Sequence, residues 1–221
     1  MTPNEKWNVL QCTLARSRQE KSGRVLGGSL RRLLMARLPA LARSERLVMR
    51  PWTVDDEPAM SAAITASVDH LLPWMPWAAF EPASAAARIA HIVRWDEEWE
   101  AGGDVVFGIF ALDGTVLGGT GLHRRLGPDG LEIGYWVHVD HVGRGYAREA
   151  SRALTDLAFT IDGIDRVEIH HDRANLASAR VPDALGYTLV SEIEREITAP
   201  GECGMTCVWR VTRADWLSRT S

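Results

Sequence analysis

The stretch Val137–Arg148, VHVDHVGRGYAR, sets Gly143 and Gly145 between a strand-like run and a helix-like run that begins at Tyr146. A glycine turn in that position brings successive backbone N–H groups to a helix N-terminus, where the helix dipole favours an anion such as a phosphate. The neighbours exclude two phosphate-binding patterns. A dinucleotide fingerprint needs glycine three residues after Gly145, where Arg148 stands, and a P-loop needs Lys followed by Ser or Thr. A lone Gly-x-Gly is also compatible with a plain connection, so the flanking elements decide its meaning.

Upstream, VVFGIFAL from Val105, TVLGGTGLH from Thr115 and LEIGYWVHV from Leu131 are joined by Asp113-Gly114 and by Gly127–Gly130. These hairpin signals predict three successive antiparallel strands. Downstream, Ala147, Ala150, Leu154, Leu157 and Ala158 recur at helical spacing between Tyr146 and Thr160. DRVEIH from Asp165 predicts a strand, Ser178 to Leu185 a short helix ended by Gly186, and TLVSEIEREI and CVWRV two late strands. Before the meander, Leu47 and Met49 alternate with Arg46, Val48 and Arg50 in a first strand stopped by Pro51. Thr53 with Asp55, Asp56 and Glu57 opens a helix, DHLLPWMPWA predicts a short helix and a bend, and a long helix runs from about Ala83 to Ala101. A strand, helix, strand unit after a meander makes the fourth and fifth strands parallel. Where they splay, their carboxyl ends open a crevice beside the helix N-terminus.

The 221 residues, 46% apolar and 24% charged, suffice for one globular domain with a real core. No apolar run reaches the length of a membrane span and no signal peptide is visible, so a cytoplasmic protein without a membrane span is expected. Three cysteines do not make a disulfide framework. Cys203 and Cys207 fall in a strand-like run, and adjacent His170 and His171 face opposite sides of a strand, so no metal is expected. The net charge of −4 is uneven: residues 1–44 hold nine Lys/Arg against two Glu, leaving 16 basic and 27 acidic side chains on the rest. An acidic body attracts cationic partners such as amines and repels a nucleic-acid backbone, so no direct nucleic-acid binding is expected. The domain is expected over residues 45–221, after a basic extension, residues 1–44, that is partly helical or disordered. In that extension Ser29 is placed to cap a helix with Leu30, Leu33, Leu34, Leu38 and Leu41 on one face.

The segment VHVDHVGRGYAREA, with DRANLASARVPDALGY thirty residues on, resembles the acetyl-CoA-dependent N-acetyltransferases of the GNAT superfamily. The resemblance runs from roughly Glu45 to Trp216. Within it, HLLPWMPWA and SERLVMRPW are similar to the RimJ/RimL-like branch that acetylates ribosomal protein N-termini. It implies an α/β GNAT acyl-CoA N-acyltransferase fold: a mixed, mostly antiparallel central sheet of about seven strands, splayed between strands 4 and 5, with helices on both faces. It also implies acetyl-CoA as co-substrate and a primary amine as acceptor, a ribosomal or other protein N-terminus foremost. A small amine (antibiotic, polyamine or amino acid) is the alternative acceptor, and an acyl-CoA-binding module that has lost catalysis is the alternative from another class. The oligomeric state stays open, a homodimer included.

Carried over residue by residue, the pyrophosphate turn is Val142-Gly143-Arg144-Gly145-Tyr146-Ala147, with Arg148 in the first turn of the helix. Val142 departs from the family's Gln or Arg, which leaves the backbone N–H groups as the principal hold. Arg144 and Arg148 add charge-assisted bonds. Trp136, Val137 and Val139 are the expected backbone contacts to the pantetheine arm, an augmentation of an exposed strand edge. A backbone N–H near Val137 is positioned to stabilise the oxyanion. Asn175 is expected to bond the pantetheine amides, and Ser178 to cap the helix and offer its hydroxyl to the departing thiolate. Glu132 matches the strand glutamate that serves as general base, since the attacking amine must lose a proton. The tyrosine acid that many relatives carry seven residues after the Asn is replaced by Pro182.

Overall fold

In a computed structural model the described residues are 37–219. The strands are β1 (Ala42–Arg43), β2 (Leu47–Pro51), β3 (Val105–Ala111), β4 (Val116–His123), β5 (Gly130–Val137), β6 (Arg166–Asp172), β7 (Thr188–Glu194) and β8 (Met205–Thr212). The helices are α1 (Glu57–Leu71), α2 (Ala85–Glu100), α3 (Tyr146–Ala158), α4 (Leu176–Ala184) and α5 (Arg213–Ser218). All the strands join one sheet in the order β1-β2-β3-β4-β5-β6-β8-β7. Every neighbouring pair is antiparallel except β5 with β6, as the strand, helix, strand pattern predicts.

That parallel pair is short. Its register runs from Gly130 opposite Arg166 to Ile133 opposite Ile169 and then stops. Beyond it β5 stays with β4 as far as Val137 opposite Gly118, while β6 stays with β8 as far as Asp172 opposite Thr206. The two strands therefore part at Ile133 and Ile169, the expected splay between the fourth and fifth strands of the sequence reading. These are β5 and β6 because β1 adds a strand that a two-residue segment cannot announce by periodicity.

The period-2 pattern of the strands sorts the two faces. Leu47, Met49, Val105, Phe107, Ile109, Leu131, Ile133, Val167, Ile169 and Val211 turn to one side, where they meet Ala150, Leu154 and Ala158 of α3 and Trp216 of α5. Trp52, Phe110 and Val116 turn to the other, against Met60, Ala63 and Ile64 of α1 and Ile92 of α2. Helices therefore cover both faces over β2–β4. Local chemistry sets the helix starts: Arg50 grips the Asp56 carboxylate from both nitrogens at 2.7 and 2.8 Å ahead of α1, and Ser84 Oγ accepts from Ala87 N–H at the start of α2.

Packing begins upstream of residue 45. Leu38 is 1% exposed, its carbonyl accepts from Trp99 Nε1 at 2.7 Å, and the Arg37 guanidinium stacks 3.4 Å from the Trp99 ring. Residues 37–43, assigned by the sequence to the extension, thus lie on the domain because β1 covers the outer edge of β2 and Trp99 offers a donor. Leu38 and Leu41 are not helical, and the rest of the expected helix from Ser29 lies outside the described residues. A second correction concerns α4. Its N-cap is Asn175, whose Oδ1 accepts from Ser178 N–H at 3.1 Å, so Ser178 is the capped residue and not the cap.

Candidate active site

The turn quoted at the outset closes β5 and opens α3. Gly143 (φ 74°) and Gly145 (φ 81°) both adopt the left-handed conformation that glycine takes at no steric cost, and Gly145 is the N-cap of α3. The first intrahelical bond is Glu149 N–H to Gly145 C=O, so the amides of Tyr146, Ala147 and Arg148 precede it and point outward. Arg144 and Arg148 are exposed beside them and Val142 is 44% exposed, leaving the approach to the amides open. The sequence reading placed Arg46 on the first strand and not in the site. Its guanidinium donates to the Arg144 carbonyl at 3.3 Å and to Glu149 Oε2 at 2.7 Å and lies 4.8 Å over the Tyr146 ring. Three guanidinium groups and three unpaired amides fit a pyrophosphate. No local signal marks Arg46, which reaches the turn from about 98 residues upstream.

On β5 the carbonyls of Gly134 and Trp136 and the N–H of His138 all face β4: Thr120 Oγ1 donates to Gly134 O, Trp136 O abuts Gly118, and His138 N–H donates to Leu117 O. Alternation then turns the backbone groups of Tyr135 and Val137 toward the gap left by β6. Of the three expected pantetheine contacts, Val137 has its polar groups in the gap and Trp136 has them in the sheet. The Val139 N–H is taken by Ser67 Oγ at 3.0 Å. The Trp136 ring instead forms a wall: it lies over Gly119, where a Cβ would come within 2.4 Å of its Nε1, and packs edge-on to Trp77 at 6.3 Å.

Glu132 is 8% exposed and turns to the sheet face opposite α3. Its cross-strand row is His123, Glu132, Glu168 and Arg210. Glu132 lies 3.4 Å from Arg125 Nη1 and 3.6 Å from His170 Nδ1, a buried nitrogen that makes no hydrogen bond. The other ring nitrogen of His170 meets Glu168 Oε2 at 2.7 Å, and Arg210 Nε donates to Glu168 Oε1 at 2.7 Å. Burial acts to raise the Glu168 carboxyl, yet His170 and Arg210 outweigh it and hold the group below its ordinary value. Asp104 behaves alike: burial is opposed by His123 at 2.7 Å, the Arg124 N–H and Arg125, and the carboxyl is held at about 2. Glu132 thus lies buried on the sheet face opposite α3, among charges largely neutralised in pairs.

On the α3 face, Ser178 Oγ lies 2.8 Å from the hydroxyl of Tyr135, a residue the sequence reading passed over although alternation from Ile133 places it on that face. Pro182 is buried in the last turn of α4, and Tyr187 is spent on Thr155 Oγ1 at 2.6 Å. His138 and His141 stand 5.1 Å apart just before the glycine turn, and His170 and His171 face opposite sides of β6. Cys203 is exposed in the β7–β8 turn and Cys207 is buried in β8, and among the described residues no cluster of three His, Cys, Asp or Glu suits a metal.

Residues 46–188 match the family model described as the acetyltransferase (GNAT) domain. The chain belongs to this family. Its sheet, parted between β5 and β6 with helices on both faces, is the GNAT fold, and its general activity is acetyl-CoA-dependent N-acetyl transfer. Among curated proteins, a candidate ribosomal N-acetyltransferase of Bacillus subtilis (strain 168), YdaF, is 25% identical over 145 residues, covering 65% of this chain and 79% of that one. Among solved structures, RimJ of Mycobacterium smegmatis in complex with CoA-disulfide superposes with a TM-score of 0.68 at 22% identity, over 79% of this chain and 88% of the other. RimL, a ribosomal L7/L12 α-N-protein acetyltransferase in complex with coenzyme A, gives 0.70 at 19% identity, over 78% and 97%. Among the described residues no helix of this GNAT chain is long and apolar enough to cross a membrane.

Proposed function

We propose that the protein acetylates a protein N-terminal α-amine by direct attack of the amine on acetyl-CoA in a ternary complex. One observation carries the reading: a buried carboxylate, Glu132, lies on one face of the point where β5 and β6 part, and the α3 amides lie beyond it. The co-substrate supplies the thioester. The chain's own groups do the rest: the α3 amides with Arg46, Arg144 and Arg148 hold the pyrophosphate, and the gap-facing polar groups of Val137 hold the pantetheine arm. The Val137 N–H would serve as the donor to the thioester carbonyl as it develops negative charge. Glu132 takes the amine's proton. At the first turn of α4, Ser178, capped by Asn175, would offer its hydroxyl to the departing sulfur. The kinship in name and fold with ribosomal-protein acetyltransferases supports a protein N-terminus as acceptor.

A second reading, a small amine as acceptor, is favoured by one contact. Gly201 N–H donates to Pro73 O at 2.8 Å, bringing the β7–β8 turn against the α1–α2 connection, a closure that would favour a small acceptor. Purified protein, acetyl-CoA and a panel of acceptors separate the readings by thiol release. Peptides with free N-termini should release thiol and their N-acetylated counterparts should not. Release with polyamines, aminoglycosides or amino acids alone moves the assignment to small amines. Heat stabilisation by acetyl-CoA without any release leaves a binding module.

A further inference from the structure

Tyr135 stands on β5 two residues past Ile133, where β5 and β6 have parted, and its side chain crosses to the first turn of α4. Its oxygen lies 2.8 Å from Ser178 Oγ and 3.2 Å from the Ser178 carbonyl. We propose that the Tyr135 hydroxyl is a positioning residue that holds Ser178 Oγ as hydrogen-bond donor to the departing CoA sulfur. The inference rests on the acetyl-CoA reading above.

The physical reason is the freedom of a serine rotor. Asn175 fixes the backbone of Ser178 through its N–H but leaves the hydroxyl to turn. In a helix such a hydroxyl commonly folds back on a carbonyl of the preceding turn. The single phenol proton has two acceptors within reach, Oγ at 2.8 Å and the Ser178 carbonyl at 3.2 Å, and we assign it to the nearer. Donated to Oγ, it occupies one lone pair and sets the direction in which the serine proton can point, and donors in series polarise one another. Burial pushes the Tyr135 phenol up to about 12, opposed in part by Ser178, so it remains an O–H donor across the neutral range. The neighbouring hydroxyls are committed elsewhere: Thr120 Oγ1 donates to Gly134 O, and Ser67 Oγ donates to Ala63 O while accepting from Val139 N–H.

In the reaction one amine N–H bond and the thioester C–S bond break, and one C–N and one S–H bond form. The sulfur leaves with the electron pair of the C–S bond. Its final proton replaces the one the amine surrendered, and Ser178 and Tyr135 end with theirs in place.

The test uses the full chain with CoA, and reads the ultraviolet absorbance of the bound thiolate against pH. A donor held on the thiolate lowers the thiol pKa. Tyr135→Phe and Ser178→Ala should each raise the bound thiol's pKa by about one unit, and the double variant no further than Ser178→Ala alone. An unshifted thiol in Tyr135→Phe, or a Tyr135→Phe increment that persists in full on the Ser178→Ala background, overturns the proposal. Should Tyr135→Phe fail to fold, Ser178→Thr is expected to keep the wild-type value that Ser178→Ala loses, and equal values in the two overturn it. If wild-type protein does not bind CoA, the acetyl-CoA reading falls and this inference with it. CoA binding with no effect of the variants removes this inference alone.

Discussion

Gly201 donates its N–H to the carbonyl of Pro73 at 2.8 Å, and there is no room at residue 201 for a side chain: a Cβ there would lie 2.6 Å from that oxygen and 2.8 Å from Pro73 Cβ. The contact joins the segment that follows α1, near β5, to the turn that follows β7, near β6. Asp172 secures the second partner by accepting from the N–H groups of Cys203 and Gly204, each at 3.0 Å.

Gly201→Ala should therefore separate the two segments. We expect the acceptor KM to rise on the order of tenfold, since small displacements at a reacting site are costly, while the Kd for acetyl-CoA stays unchanged. Steady-state kinetics with each substrate varied in turn read the two effects. A change confined to acetyl-CoA affinity would contradict the assignment of this contact to the acceptor side.

Glu132→Gln keeps the shape of the site and removes the proposed base. It should lower kcat by about 100-fold with acetyl-CoA affinity retained, the scale of general base catalysis. Turnover equal to wild type from acid to alkaline pH would transfer the role to another group.

Gly145→Glu places a side chain where the backbone is left-handed and the nearest atoms are Arg46 Nη2 at 3.7 Å and Arg148 Nη2 at 3.9 Å. The new carboxylate would compete for the guanidinium groups and the helix dipole that a phosphate needs, besides straining the turn. A loss of about 100-fold or more in acetyl-CoA affinity is expected by calorimetric titration. Retained affinity would contradict the assignment of this turn to the pyrophosphate.

Burial, with Arg94 and Arg88 acting the same way, pushes the His91 imidazole from 6.5 down to about 4. The unfolded chain takes up this proton near 6.5 and the folded chain only near 4. The contribution to stability is thus complete above pH 6.5 and declines as pH falls from there to about 4. Thermal unfolding followed across this window should show a steeper loss for wild type than for His91→Phe. Parallel curves would assign the loss to other groups.

The pattern of the sequence made much of this fold legible because its signals are local. Two glycines before an amphipathic helix, hairpin turns at Asp113-Gly114 and Gly127–Gly130, and apolar alternation along β3 to β5 each depend on neighbours a few residues apart. Glu132, the glycine turn, Asn175 and Ser178 were singled out by the resemblance that their short motifs carry, because spacing alone fits a plain strand, turn and helix start equally well. The two-residue β1 and the burial of Leu38 were not, because they answer to β2 and Trp99 and not to a period in their own sequence.

The sequence by itself determined the order of the elements from β2 onward, the left-handed glycines of the turn before α3 and the faces on which Glu132 and Tyr135 lie, since alternation along a strand is a property of the backbone. Tertiary structure decided what meets what. It brought Arg46 to the Arg144 carbonyl, set His170 between Glu132 and Glu168, ended the β5–β6 pairing at Ile133, joined Gly201 to Pro73 and carried the Tyr135 hydroxyl to Ser178. Hydrogen bonds and charge contacts act over a few ångströms in space, and only the folding of the sheet brings residues so distant along the chain within that reach.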